Sequence, residues 1–115
     1  MLILKKSLLQ PNKEEKKCYL CNKPKQHLFE YNIFHENPDL VAKSQRYGCY
    51  VNLCIKHFSG SIHGAMYNDD IALKLKADAQ SKFMERYPKK DFVYIFGYDY
   101  LSEYKRKSFN SNEHI

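Results

Sequence analysis

Two short ligand pairs constrain this chain more than anything else in it: Cys18-x2-Cys21 and Cys54-x2-His57. A two-residue gap lets both side chains of a pair converge on one ion from a tight turn, and thiolate with imidazole suits Zn²⁺. Three cysteines and one histidine make a closed set of four, so the pattern predicts one structural zinc held by Cys18, Cys21, Cys54 and His57. Paired redox cysteines or buried free thiols leave unexplained why the second pair ends in His. Cys49 is the spare cysteine. It alternates with Val51 and Leu53, which assigns it to core packing rather than to the metal.

A staple of this kind suits the size of the chain. At 115 residues it forms one domain, and with 43% apolar residues its core is modest. Domains this small often need a metal or disulfides to reach useful stability. No segment approaches the roughly 20 apolar residues that cross a bilayer. Met1–Leu4 is apolar, but Lys5 and Lys6 follow it, the reverse of the order in a secretory signal. The expected location is therefore the cytoplasm, where cysteines serve as metal ligands or free thiols rather than as disulfides.

The pattern along the chain is α+β. Residues 1–17 read as a basic arm, with Lys5, Lys6, Lys13, Lys16 and Lys17. Leu28–Phe34 is rich in aromatic and β-branched residues and predicts a strand. Asn37-Pro38-Asp39 supplies a capping Asn and a first-turn Pro, and Gly48 a stop, so a short helix lies between them. Cys49–Leu53 alternates as a second strand, with Cys49, Val51 and Leu53 on one face. Asn68-Asp69-Asp70 opens a long helix whose apolar positions Ile71, Leu75, Ala79 and Phe83 recur every four residues until Pro88. Asp91–Phe96 predicts a last short helix closed by Gly97, and residues 102–115 read as a loose polar tail.

The combination of Cys18-Tyr19-Leu20-Cys21, Val51-Asn52-Leu53-Cys54-Ile55-Lys56-His57, Gly60-Ser61-Ile62-His63-Gly64 and Ile95–Leu101 resembles the small HNH-related proteins of bacteriophages, akin to the RecA-associated phage nuclease group. The resemblance covers about residues 18–101. It implies a treble-clef-like zinc unit carrying a ββα-metal site. In that architecture a strand histidine holds a divalent ion, its neighbour acts as general base on water, and a histidine before the next helix completes the site. On this sequence the strand pair falls on Tyr31 and Asn32, and the downstream histidine on His63.

Here the chain departs from the pattern. Neutral Asn32 cannot take a proton from water, and un-ionised tyrosine is a poor ligand for Mg²⁺ or Zn²⁺. His27, Glu30 and His35 are the available substitutes. In an extended segment His27, Tyr31 and His35 share one face, and Glu30 and Asn32 the other.

The net charge of +6 favours polyanionic partners. Tyr31, Tyr47, Tyr50 and Tyr67, with Lys43 and Arg46, are candidates for stacking on bases, or else for ordinary packing. The reading these residues favour is a catalytically degenerate HNH-like zinc protein that retains DNA binding. One alternative is an active Mg²⁺-dependent DNA endonuclease, with His63 and Asn32 as its catalytic candidates. A second is a phage regulatory or inhibitor protein acting on a host or mobile-element protein.

Overall fold

A computed structural model describes residues 7–10, 16–24, 27–60 and 62–113, with side chains through residue 108. The order is β1 (Phe29–Asn32), α1 (Pro38–Tyr47), β2 (Tyr50–Leu53), α2 (Ile55–Ser59), α3 (Asp69–Arg86), α4 (Phe92–Phe96) and α5 (Tyr100–Glu113). No helix among the described residues is long and apolar enough to cross a membrane.

The two strands pair antiparallel, Phe29 opposite Leu53 and Asn32 opposite Tyr50, with α1 inserted between them. Cys49, Val51 and Leu53 are fully buried on one face, as the alternation requires. Cys49 thus belongs to the core, where burial pushes its thiol up to about 12. The caps also follow the sequence. Asn37 accepts from the Asp39 N–H, and Gly48 ends α1 with φ 75°. Asn68 accepts from the Asp70 and Ile71 N–H groups at the start of α3.

Four expectations are corrected. The first strand ends at Asn32, not Phe34, because the Asn32 Oδ1 accepts from the Phe34 N–H at 3.0 Å and turns the chain. Alternation therefore stops before His35, and neither His27 nor His35 lies on β1. Residues 7–10, counted in the arm, are docked along the outer edge of β2. The Leu8 N–H donates to Gly48 O, the Ser7 hydroxyl to Tyr50 O, and the Asn52 N–H to Gln10 Oε1. These contacts occupy an edge that a two-stranded sheet would otherwise leave open. Lys5, Lys6, Lys13 and Lys25 lie outside the described residues.

The tail is the third correction: residues 100–113 form α5. Asp99 caps it by accepting from the Ser102 N–H and hydroxyl. Buried Gln80 of α3 holds it down, donating to Asp99 Oδ1 at 2.9 Å and accepting from the Leu101 N–H at 3.0 Å. The fourth is the helix count: beyond the long helix and the two short ones expected, α2 forms a single turn after Cys54.

The core lies where β1 and β2 meet α1, α3 and α4. Leu75, Ala79 and Phe83 supply the predicted stripe of α3 and are fully buried, with Ile71 half-buried at its start. Phe83 meets Phe92, Phe96, Tyr47 and Tyr87 with ring centroids 5.0–5.8 Å apart. One sheet and one aromatic cluster thus set the scaffold, and Cys18 and Cys54 are buried in the same core.

Candidate metal centre and the neighbouring strand position

The first ligand pair sits on a closed turn. The Cys18 N–H donates to Lys23 O and the Asn22 N–H to Cys18 O, and Lys17 bridges to Pro24. Asn22 takes φ 56°, a left-handed conformation that asparagine tolerates. The second pair uses helical geometry. Cys54 is the N-cap of α2 and His57 its third residue, so both side chains leave the same end of one turn.

The four ligand atoms of Cys18, Cys21, Cys54 and His57 lie within 4.8 Å of one another. His57 Nδ1 is 3.3 Å from Cys54 Sγ and 3.6 Å from Cys18 Sγ. A tetrahedral ion with Zn–S of about 2.3 Å and Zn–N of about 2.0 Å separates sulfur from nitrogen by about 3.5 Å. The residues are therefore close enough to hold one metal ion, and their spacing and donor set are compatible with structural zinc. No cysteine is in a disulfide.

Burial pushes the Cys18 thiol up, while the N–H groups of Cys21, Cys54 and Leu20 directed at the sulfur work against that rise. A cation held by these residues would resolve the conflict, since a coordinated thiol is deprotonated outright. The turn is braced from outside the ligand set as well. The Tyr19 hydroxyl donates to Asp78 of α3 at 2.8 Å, and Lys74 bridges the same carboxylate. Burial, then the Asp78 carboxylate, holds the Tyr19 phenol well above its ordinary range.

An open cleft of about 400 Å³ adjoins the cluster, lined by Cys21, Cys54, His57, Lys23, His27, Ile55 and Lys56. Among the described residues that line it, none is a carboxylate. Lys23 and Lys56 form no ion pair among the described residues. The exposed side chain of Ile55 forms part of its rim.

Tyr31 and Asn32 have packing roles. Tyr31 is 2% exposed, and its ring meets His35 at 5.2 Å and Phe58 at 6.3 Å. Its buried hydroxyl has no hydrogen-bond partner among the described residues. Burial, then the Glu36 charge, pushes the phenol up to about 12. Asn32 closes the turn after β1, as above. Glu30 is exposed on the strand, and His27 stands in the cleft beside the cluster. His35 is half-buried against Tyr31.

His63 is exposed on the loop between α2 and α3, its ring 6.4 Å from that of His57. That loop folds back on α2, with the Ala65 N–H donating to His57 O and the Met66 N–H to Phe58 O. Gly60 and Gly64 are both required by the close fit: a Cβ on Gly64 would overlap the Gly60 backbone, and one on Gly60 the Lys56 carbonyl. The two glycines of the Gly-x-x-His-Gly motif are thus accounted for by backbone packing, and His63 stands exposed with its ring edge toward His57.

Of the tyrosines considered for stacking, Tyr47 joins the aromatic core and Tyr50 is half-buried, whereas Tyr67 is 70% exposed. Lys43 is engaged with Ile95 O at 2.9 Å, and Arg46 is exposed. The cleft beside the ligand cluster was not anticipated. The proximity of Lys23 and Lys56 to the ligands in sequence was its only signal. No protein-family model matches the chain, and searches of curated proteins and of solved structures return no match.

Proposed function

We propose that the chain is a zinc-stapled, treble-clef-like domain of HNH type that binds nucleic acid, DNA first, without cleaving it. The observation that carries the binding reading is the cleft beside the cluster, where Lys23, Lys56 and His27 converge with no carboxylate among the described lining residues. Phosphodiester oxygens suit such a lining, and the net charge of +6 adds long-range attraction. The treble-clef reading rests on the order of parts: a knuckle with two ligands, an antiparallel strand pair, then a helix whose first turn supplies the other two. Bound zinc supplies cross-linking of knuckle to helix and, with all four positions taken by protein, no open site for substrate.

The environment of the strand position favours loss of cleavage. Tyr31 is in the core and Asn32 is spent on a turn. Neither offers a base to water, and His63 alone is one ligand short of a divalent site. The protein's own residues thus bind and orient a phosphate backbone, and no proton transfer is assigned to them.

Fluorescence anisotropy of a labelled DNA oligonucleotide tests this, read at salt from about 50 to 200 mM. The expected result is saturable binding that weakens steeply with salt, and a shallower salt slope in Lys23→Glu and Lys56→Glu. Binding indifferent to both variants would remove the cleft from the interface. Supercoiled plasmid incubated with Mg²⁺ or Mn²⁺ should stay intact. Nicking that disappears in His63→Ala would establish an active endonuclease instead.

A further inference from the structure

Phe29 is an aromatic side chain that the lysine cleft leaves unused. It opens β1 opposite Leu53 and lies on the same strand face as Tyr31. Phe58 of α2 packs against both rings on that face. It stacks on Phe29, with centroids 5.2 Å and planes 23° apart, and meets Tyr31 edge-on at 6.3 Å. Phe58 is half-buried, and its backbone is tied to Cys54 O and to the Met66 N–H. Phe29 is thus held flat from one side. It is nevertheless 39% exposed, and the area left in water is not the face that Phe58 covers.

This ring borders the cleft beside the ligand cluster. Phe29 follows His27 by two residues, at most about 7 Å of chain, and Phe58 directly follows His57. Within the cleft Ile55 is 59% exposed. Single apolar groups in water are ordinary, and the charge around these two sets them apart. The knuckle of residues 16–24 carries Lys16, Lys17 and Lys23 and no acid, and α2 carries Lys56 and no acid. None of these lysines forms an ion pair among the described residues. Zinc held by three thiolates and an imidazole would leave one net negative charge there. Glu30 adds another, from the opposite face of β1. The four lysines outnumber both, so the surface around Phe29 stays positive.

Together these features select the occupant. Lysines hold phosphate oxygens. A phenyl ring has no hydrogen-bonding group, so it can neither hold a phosphate nor read a base edge. What it offers is a plane for another plane. In a duplex each base face is covered by its neighbours and only the edges turn outward. An unpaired strand offers phosphate and base face together. An apolar side chain from a peptide is held by a concavity, and the open part of a stacked ring gives it none.

Resting on the nucleic-acid reading of the cleft, we propose that it takes single-stranded rather than duplex DNA, with phosphates on Lys23 and Lys56 and an unpaired base stacked on Phe29. Such stacking tolerates any sequence, because every base has a π-face.

The test is fluorescence anisotropy of the full chain with three labelled ligands of equal length. They are an oligothymidylate, the same strand annealed to oligoadenylate, and an abasic strand that keeps the phosphates without the bases. The oligothymidylate is expected to bind at least about tenfold more tightly than either of the others. Phe29→Ala should bring it down to the level of the abasic strand, Phe29→Tyr should preserve the preference, and Lys56→Glu should weaken all three. Equal binding of thymidylate and abasic strands, or a duplex bound as tightly as the single strand, overturns the stacked base while leaving the phosphate cleft in place. No binding of any strand removes the nucleic-acid reading and this proposal with it. Equal displacement of the oligothymidylate by a glutamate peptide containing one Phe would assign the surface to protein instead. Melting curves check that the variants fold. Proton NMR of the parent decides the matter even if Phe29→Ala does not: a stacked thymine must move the Phe29 ring signals upfield, and signals unmoved at saturation overturn the proposal.

Discussion

Two places flank the same two-stranded sheet, and they differ in what the chain asks of them. At one, Cys18, Cys21, Cys54 and His57 bring four ligand atoms within 4.8 Å, although their side chains come from a turn and a helix far apart in sequence. At the other, Tyr31, Asn32 and His63 occupy the positions that the HNH resemblance gives to a second metal. There one side chain is core, one closes a turn and one stands in solvent. The difference teaches that a resemblance in spacing survives where residues serve the fold. Where the resemblance would assign chemistry, packing holds Tyr31 and a turn holds Asn32. The Gly60 and Gly64 backbone keeps the loop shape whether or not His63 has work to do.

The comparison breaks most sharply at the ligand cluster. Cys18→Ser or Cys54→Ser should unfold the domain, because zinc binding in such modules supplies on the order of 10 kcal/mol of folding free energy. That matches the entire stability of a typical domain, about 5–15 kcal/mol. The variant is expected to lose its cooperative melt and to bind less than one zinc per chain by elemental analysis. A Cys18→Ser protein melting like the parent would remove the metal from the fold.

The next largest effect is expected at the strand. Tyr31→His with Asn32→His restores the ligand types of the resemblance, at a cost of about 2–4 kcal/mol for an imidazole in a core position. Calorimetric titration with Mn²⁺ should register a gain in affinity over the parent. A folded double variant with no such gain would mean that this strand does not align with the nuclease strand at all.

Asn32→Ala should cost about 1 kcal/mol in chemical denaturation, the worth of the hydrogen bond that ends β1. Asn32→Asp keeps the acceptor and should cost less. Equal stability of Asn32→Ala and parent would return Asn32 to the list of functional candidates.

How much of this the sequence disclosed depended on whether the signal was local. Caps are local, and Asn37, Gly48, Asn68, Asp91 and Gly97 all mark the ends they were read as marking. The ligand set was legible because two-residue spacing is itself a geometric statement. The end of β1 was not, because the sequence 28–34 keeps its apolar character past Asn32 while the side chain of Asn32 bends the backbone. Helix α5 was missed because its polar sequence gives little apolar stripe, and what holds it is Gln80, a buried polar residue on another helix. The same blindness hid the docking of residues 7–10, where the partners Tyr50 and Asn52 lie some forty residues away. Long-range polar pairing leaves no periodicity to read.

The smallest expected effect is the most telling about the strand. Tyr31 buries a hydroxyl that has no partner among the described residues, so Tyr31→Phe removes an unsatisfied polar atom while keeping the ring contacts with His35 and Phe58. At neutral pH the variant should match or exceed the parent by up to about 1 kcal/mol. The alkaline limb should separate them further. The folded phenol is pushed up to about 12 from 10, so between those values the unfolded chain holds fewer protons and stability falls as pH rises. Below pH 10 the contribution is complete. Cys49, also pushed up to about 12, adds a parallel loss that both proteins share. Denaturant melts of parent and Tyr31→Phe, compared at neutral pH and between pH 10 and 12, should therefore show the variant losing less. If Tyr31→Phe is instead clearly less stable at neutral pH, the hydroxyl has a partner such as a bound water or ion. The strand position would then be a site after all rather than a piece of core.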